Sequence, residues 1–172
     1  MSNQQPPVSL PSYYDGSARL PPDEVLRPLM ADWARAGKRL AAICYIDVDH
    51  FAELNERLGM VAGNAALEEV AQRIKAELPR ESVMARVGGD EFAALFAGLG
   101  ASQCAQVLER IQTSLADPWI WRDQTASIDA SIGAMLLDSN GPPPETALRQ
   151  GQHAAFFAKR AADGKVHFFV AP

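Results

Sequence analysis

The sequence predicts an α+β sandwich of the ferredoxin-like kind, a central, mainly antiparallel five-stranded sheet flanked by helices. Three observations carry this. Segments of helical periodicity alternate with short apolar runs in the order α, β, α, α, β, β, α, β, β, α, β. Two apolar runs, "SVMARV" and "FAALFA", sit either side of Gly88-Gly89, a hairpin signature. Each helical segment carries one apolar stripe, so each needs a sheet face to cover.

The elements follow in chain order. "SNQQPPVSLPS" is polar and proline-rich, so residues 1–13 read as a linker or loosely tied tail, and 14–170 as one domain. A helix begins at Pro22, whose fixed φ suits a first helical position, with Asp23 and Glu24 favourable to the helix dipole. Val25, Leu26, Leu29, Met30 and Trp33 recur at helical spacing, and Gly37 ends the helix. "RLAAICYIDV" is nearly continuously apolar, as a strand buried on both faces would be. A short helix from His50 to Leu58 and a longer one from Ala62 to Leu78 follow; Pro79 stops the second. After the hairpin, Ser102 is positioned to cap a helix bearing Val107, Leu108, Ile111 and Leu115 on one stripe. "PWIW" and "TASIDASIGAMLL" read as strands, "DSNGPPPE" as a loop, 145–160 as the last helix and "KVHFFV" as the closing strand. Trp119, Trp121 and Phe92 read as packing residues.

Bulk properties narrow the function. The 172 residues are 48% hydrophobic and 22% charged, an ordinary globular balance. A net charge of −5 argues against a nucleic-acid surface spread over the domain and leaves room for a local basic pocket. Cys44 and Cys104 lie in apolar patterns without CxxC spacing, and read as buried reduced thiols suited to a cytoplasmic setting. His50 and His153 lack ligand spacing to another His or Cys. No apolar run reaches membrane-spanning length, so no membrane contact by this domain is expected.

Chemistry concentrates where the first strand ends, in "YIDVDHF". Asp47 and Asp49 alternate with Val48 and so share one side. An ionised Asp at the end of a buried strand is costly unless paired or bound to a cation. Asp90 in the hairpin is a second such acid, and ferredoxin-like topology sets the first strand beside the hairpin. Asp47 and Asp90 are then expected to face each other with no basic partner, a hard-cation site suited to Mg²⁺. The structural alternative is that Asp47 or Asp49 caps the next helix. Both fit one geometry, because a helix N-terminus after a strand also favours phosphate.

"RVGGDEF" at Arg86–Phe92 resembles the signature of the GGDEF family, the diguanylate cyclases. "YIDVDHFAELNERLGMVAGNAALEEVA" is similar to the family's other core motif, "ASIGAML" to its S-I-G strand, and "FFAKRAADGKVHFF" to its closing segment. Four motifs occur in order, and the resemblance covers about Tyr14 to Phe169. The resemblance implies a fold like that of nucleotidyl cyclases and polymerase palms. It implies that two GTP molecules, one on each of two facing copies, condense to cyclic di-GMP and pyrophosphate in bacterial signalling. Asp47, Asp90 and the Val48 carbonyl would bind two Mg²⁺ or Mn²⁺, and Asp90 or Glu91 would be the base for the attacking 3′-hydroxyl. Gly88 and Gly89 would let backbone approach phosphate, Phe51, Asn55 and Asn64 would line the base, and Lys159 and Lys165 would neutralise the β- and γ-phosphates. Family neighbours are upstream sensor domains or a downstream EAL phosphodiesterase domain, so this domain is expected to be a cytoplasmic part of a larger protein.

The sequence also departs from the family pattern. Ala52 stands where the family has Lys, and Asn64 where it has a guanine-reading Asp. "DGSARLPPD" keeps only part of the N-terminal motif, and two extra residues separate Lys159 from Lys165. Pro79 and Ser82 occupy the family's R-x-x-D inhibitory positions. These departures imply relaxed base selectivity and no product-inhibition site. They also define a second reading, a GTP-binding regulatory domain that controls an adjacent domain with little turnover of its own.

Overall fold

The computed structural model describes residues 22–37, 40–80, 82–137, 144–161, 163 and 166–170. Residues 15–21 of the N-terminal motif, residues 138–143 of the "DSNGPPPE" loop and Lys165 lie outside the described residues. The elements are α1 (Pro22–Arg35), β1 (Leu40–Val48), α2 (Phe51–Leu58), α3 (Met60–Glu77), β2 (Val83–Arg86), β3 (Glu91–Ala97), α4 (Ala101–Ala116), β4 (Trp119–Trp121), β5 (Gln124–Ala126), β6 (Ala130–Leu136), α5 (Pro144–Ala161) and β7 (Val166–Val170).

Five strands form one sheet in the order β2-β3-β1-β6-β7. All neighbours are antiparallel except β6 and β7, which are parallel because α5 crosses between them. The apolar run of β1 lies between β3 and β6 as the central strand. Its alternate residues feed two cores. Ala42, Cys44, Ile46 and Val48 join a cluster with α3 and α4; Ile43 and Tyr45 join a second with α1 and α5, which includes Leu26, Met30 and Leu148. Residues 42–48 are all buried, as a central strand covered on both faces must be. Phe92 is fully buried and fixes the start of β3. Both cysteines are free and buried, and burial pushes the Cys44 thiol up to about 12.

Gly133 in β6 decides how near α5 comes. A Cβ there would overlap the backbone of Ala154 and Ala155, so any larger residue would push the helix off the sheet.

The structure revises three expectations. "TASIDASIGAMLL" is not one strand: β5 leaves after Ala126 to pair with β4 in a separate two-stranded ribbon, and β6 begins at Ala130. In that ribbon Trp119 is buried and stacks on Trp121, with ring centroids 5.6 Å apart. Ser102 lies inside the first turn of α4. The N-cap is Gly100, whose N–H donates to Gln103 Oε1 at 2.9 Å. Neither Asp47 nor Asp49 caps α2. His50 takes the N-cap position in the left-handed region (φ 55°) and makes no side-chain cap bond.

Candidate functional site

Antiparallel pairing brings the acids together. Asp47 is directly across from Glu91 in β3 on one side and Ser131 in β6 on the other. The pairing continues one step past β1: Val48 N–H donates to Asp90 O at 3.0 Å and Asp49 N–H to Asp129 O at 2.8 Å. Sequence reasoning placed Asp90 opposite Asp47. The register sets Glu91 there and Asp90 one residue away, near enough for its charge to act on Asp47. Asp47 and Asp49 do share a side, because the Ser131 hydroxyl opposite Asp47 donates to both Asp49 oxygens, at 2.8 and 3.0 Å.

The hairpin turn is held from within. Val87 N–H and Gly88 N–H donate to Glu91 O at 2.9 and 3.3 Å. Arg86 Nε donates to Gly88 O at 3.2 Å, and the same guanidinium bonds the Gly89 carbonyl. A Cβ on Gly88 would lie 2.5 Å from Glu91 Oε2, so glycine there gives room to the Glu91 carboxylate. Sequence reasoning gave Arg86 no role. Its signal was a basic residue two positions before the glycines, within reach of their carbonyls.

One expectation is corrected outright: the acids do have a basic partner. Lys159, in the last turn of α5, forms an ion pair with Asp47. The Asp47 side chain is 10% exposed and that of Lys159 is 51% exposed, so the carboxylate is fixed and the ammonium has water on its other side. The reason is the close seat of α5 on β6, which carries the end of that helix to the end of β1.

Burial raises the Asp47 carboxyl above the ordinary range. Lys159 works against that, and Asp90 and Asp49 add to it. Glu91 is also raised, first by burial and then by Asp47 and Asp90. Lys159 is raised as well: burial lowers it, and the bond to Asp47 together with the charges of Asp47, Asp90 and Asp49 outweighs burial. The site thus holds more negative charge than one ammonium offsets.

That charge bears on a divalent cation. Among the described residues no group of three His, Cys, Asp or Glu closes into a metal cage. Mg²⁺ does not require one, being held commonly by one or two carboxylates with waters and substrate phosphates. Hard oxygens at Asp47, Glu91 and Asp90, with the Asp47 and Glu91 carboxyls raised by burial and by their acidic neighbours, fit such an ion.

The α2–α3 corner gathers the residues that the sequence assigns to the base. Phe51 and Asn55 are one turn apart on α2 and both half-buried. Gly59 (φ 87°) turns the chain, its N–H donating to Asn55 O at 2.9 Å. Asn55 and Phe51 then meet buried Gly63 of α3, and Asn64 is exposed beside it. Ala52 is exposed on α2.

The family described as "Diguanylate cyclase, GGDEF domain" matches residues 14–165. Diguanylate cyclase TpbB of Pseudomonas aeruginosa is 37% identical over 125 residues, 72% of this chain and 29% of the relative, so the chain spans under a third of that protein. The crystal structure of the GGDEF domain of TpbB superposes with a TM-score of 0.76 at 31% identity, covering 87% of this chain and 94% of that one. An EAL/GGDEF domain protein from M. capsulatus superposes with a TM-score of 0.70 at 30% identity, covering 84% and 94%.

Proposed function

The chain belongs to the GGDEF family of diguanylate cyclase domains, and from that premise we propose that residues 14–170 condense GTP to cyclic di-GMP, with two copies facing each other. The register that sets Asp47 across from Glu91, with Asp90 beside it, carries this reading.

Each bond-forming step needs a 3′-hydroxyl oxygen to attack an α-phosphorus as the bond to the pyrophosphate oxygen breaks. The hydroxyl proton passes to a carboxylate. Glu91 suits that role better than a fully solvated acid, because its raised pKa brings its basicity nearer neutrality. Two such steps, one from each GTP, close the ring and release two pyrophosphates. A bound divalent cation, Mg²⁺ or Mn²⁺, supplies charge neutralisation at the phosphoryl oxygens, and Asp47, Asp90 and the Val48 carbonyl would hold it. Lys159 exchanges Asp47 for the β- and γ-phosphates, a move its exposed side chain permits. Gly88 and Gly89 admit the phosphates to the turn, Lys165 adds a second cation, and Phe51, Asn55 and Asn64 contact the base. Asn64 offers one acceptor and one donor where a carboxylate offers two acceptors, so guanine is held less selectively.

A GTP-binding regulatory domain without turnover is the second reading, favoured by Ala52, which removes a cation from the phosphoryl site. In that case the function is exerted on an adjacent domain, such as an EAL phosphodiesterase or a sensor, in a larger cytoplasmic protein. Among the described residues no helix is long and apolar enough to cross a membrane. Incubation of the purified chain with GTP and Mg²⁺ or Mn²⁺ separates the two. Cyclic di-GMP formed by the native chain and lost in Asp90→Ala supports the cyclase. GTP binding without product supports the regulatory domain.

A further inference from the structure

We propose that Gly63 is a positioning residue for base recognition, and that its missing side chain sets where the Asn55 carboxamide lies. This rests on the reading above that Asn55 meets the nucleotide base. A Cβ built on Gly63 would overlap Asn55 Oδ1, lie 2.8 Å from Asn55 Cγ and lie 3.3 Å from Phe51 Cζ. The carboxamide thus occupies the space that any other residue at position 63 would claim.

The backbone offers little relief from that overlap. Gly59 N–H donates to Asn55 O and Gly63 N–H to Gly59 O, at 2.9 and 3.1 Å, so one run of hydrogen bonds ties the end of α2 to the start of α3. Gly63 is buried between Ala62 and the helix face bearing Ala66 and Leu67, which fixes α3 against the core. The atom in the way is the far end of a flexible side chain. An added methyl therefore displaces the Asn55 carboxamide and leaves the helices in place. Glycine inside a helix is unfavourable relative to alanine. At this position glycine stands where alanine would suit the helix better, and the neighbour that alanine would disturb first is Asn55.

The test uses Gly63→Ala, Asn55→Ala and the double variant, with 3′-deoxy-GTP and 3′-deoxy-ATP as ligands. Both lack the attacking hydroxyl, so calorimetry reads binding alone. Gly63→Ala is expected to melt at or above the native temperature. It should lose about tenfold in 3′-deoxy-GTP affinity, the scale of one displaced hydrogen-bonding group, and its guanine-over-adenine preference should fall to that of Asn55→Ala. Adding Gly63→Ala to Asn55→Ala should cost nothing more. Native affinity and preference in Gly63→Ala, with both lost in Asn55→Ala, overturns the positioning role and leaves the base contact standing. A further loss in the double variant also overturns it, whatever the melting temperatures. Native binding by Asn55→Ala removes the base contact itself, and the proposal with it.

Discussion

Glu91 shows how a single side chain trades stability for chemistry. Glu91 is exposed at the edge of the site, and partial burial of its carboxyl together with Asp47 and Asp90 raises it, so the folded chain holds that proton more tightly than the unfolded chain does. For an acid shifted in this direction, ionisation costs native stability. The cost is absent below the ordinary carboxylate pKa of about 4 and grows as pH rises through the native value. Glu91→Gln removes the charge and keeps the shape. It is expected to melt higher than the native chain at pH 7, with the difference shrinking towards pH 4. Turnover to cyclic di-GMP should fall about 100-fold or more, the usual scale for loss of a general base. A melting temperature below native at pH 7 would contradict the raised carboxyl, and unchanged turnover would move the base to Asp90. The Lys159–Asp47 pair belongs to the same scale and was not legible in the sequence. The two residues are 112 positions apart, and the contact depends on the height at which α5 sits over the sheet.

Between elements, the α3–α4 side is fastened by Arg73. Its guanidinium bonds the carbonyls of Ser114 (2.9 Å), Leu115 (3.3 Å), Asp117 (2.6 Å) and Pro118 (3.2 Å), and its Nε bonds Glu69 (2.7 Å). These carbonyls lie at or just beyond the C-terminal end of α4, where the helix itself leaves acceptors without partners and the dipole favours a cation. Arg73→Met keeps much of the stem and removes the donors. Urea denaturation should show a loss of about 2–3 kcal/mol, and a loss under 0.5 kcal/mol would make the network ornamental. The core elements were readable because period and punctuation agree in them. Leu67, Val70, Ala71 and Ile74 on α3, and Val107, Leu108, Ile111 and Leu115 on α4, are all buried as their spacing predicts. The β4–β5 ribbon was less readable. Its strands are three residues each, too short for a period, and β5 runs on towards β6 with only "SID" between. The cap lies two positions before Ser102 because Gln103 reaches back to Gly100, and a glycine cap carries no side-chain signal.

For the whole molecule, the proposed reaction needs two nucleotide-loaded copies to meet. Each copy carries a net charge of −5 before binding GTP, so long-range repulsion opposes the encounter. Initial turnover per mole of chain should therefore fall in proportion to dilution while the chain is mostly monomeric, and rise as moderate salt screens the repulsion. Turnover per mole that stays constant over a hundredfold dilution would mean a preformed assembly or a single-copy reaction. The sheet order that such an assembly must accommodate was legible at the level of class, five mainly antiparallel strands with helices on both faces. The parallel β6–β7 pair follows from α5 lying between them.

The stacked Trp119–Trp121 pair gives the chain an internal optical gauge. The rings lie 5.6 Å apart at 23°, close enough for their excited states to couple and to sign the near-ultraviolet circular dichroism. Trp119 packs with the α3–α4 core, whereas Asp47 and Lys159 meet on the α5 side of the sheet. A chromophore seated across the sheet from the acids reports whether a variant has kept its fold without itself touching the groups being changed. Lost chemistry and lost structure can therefore be told apart in one cuvette.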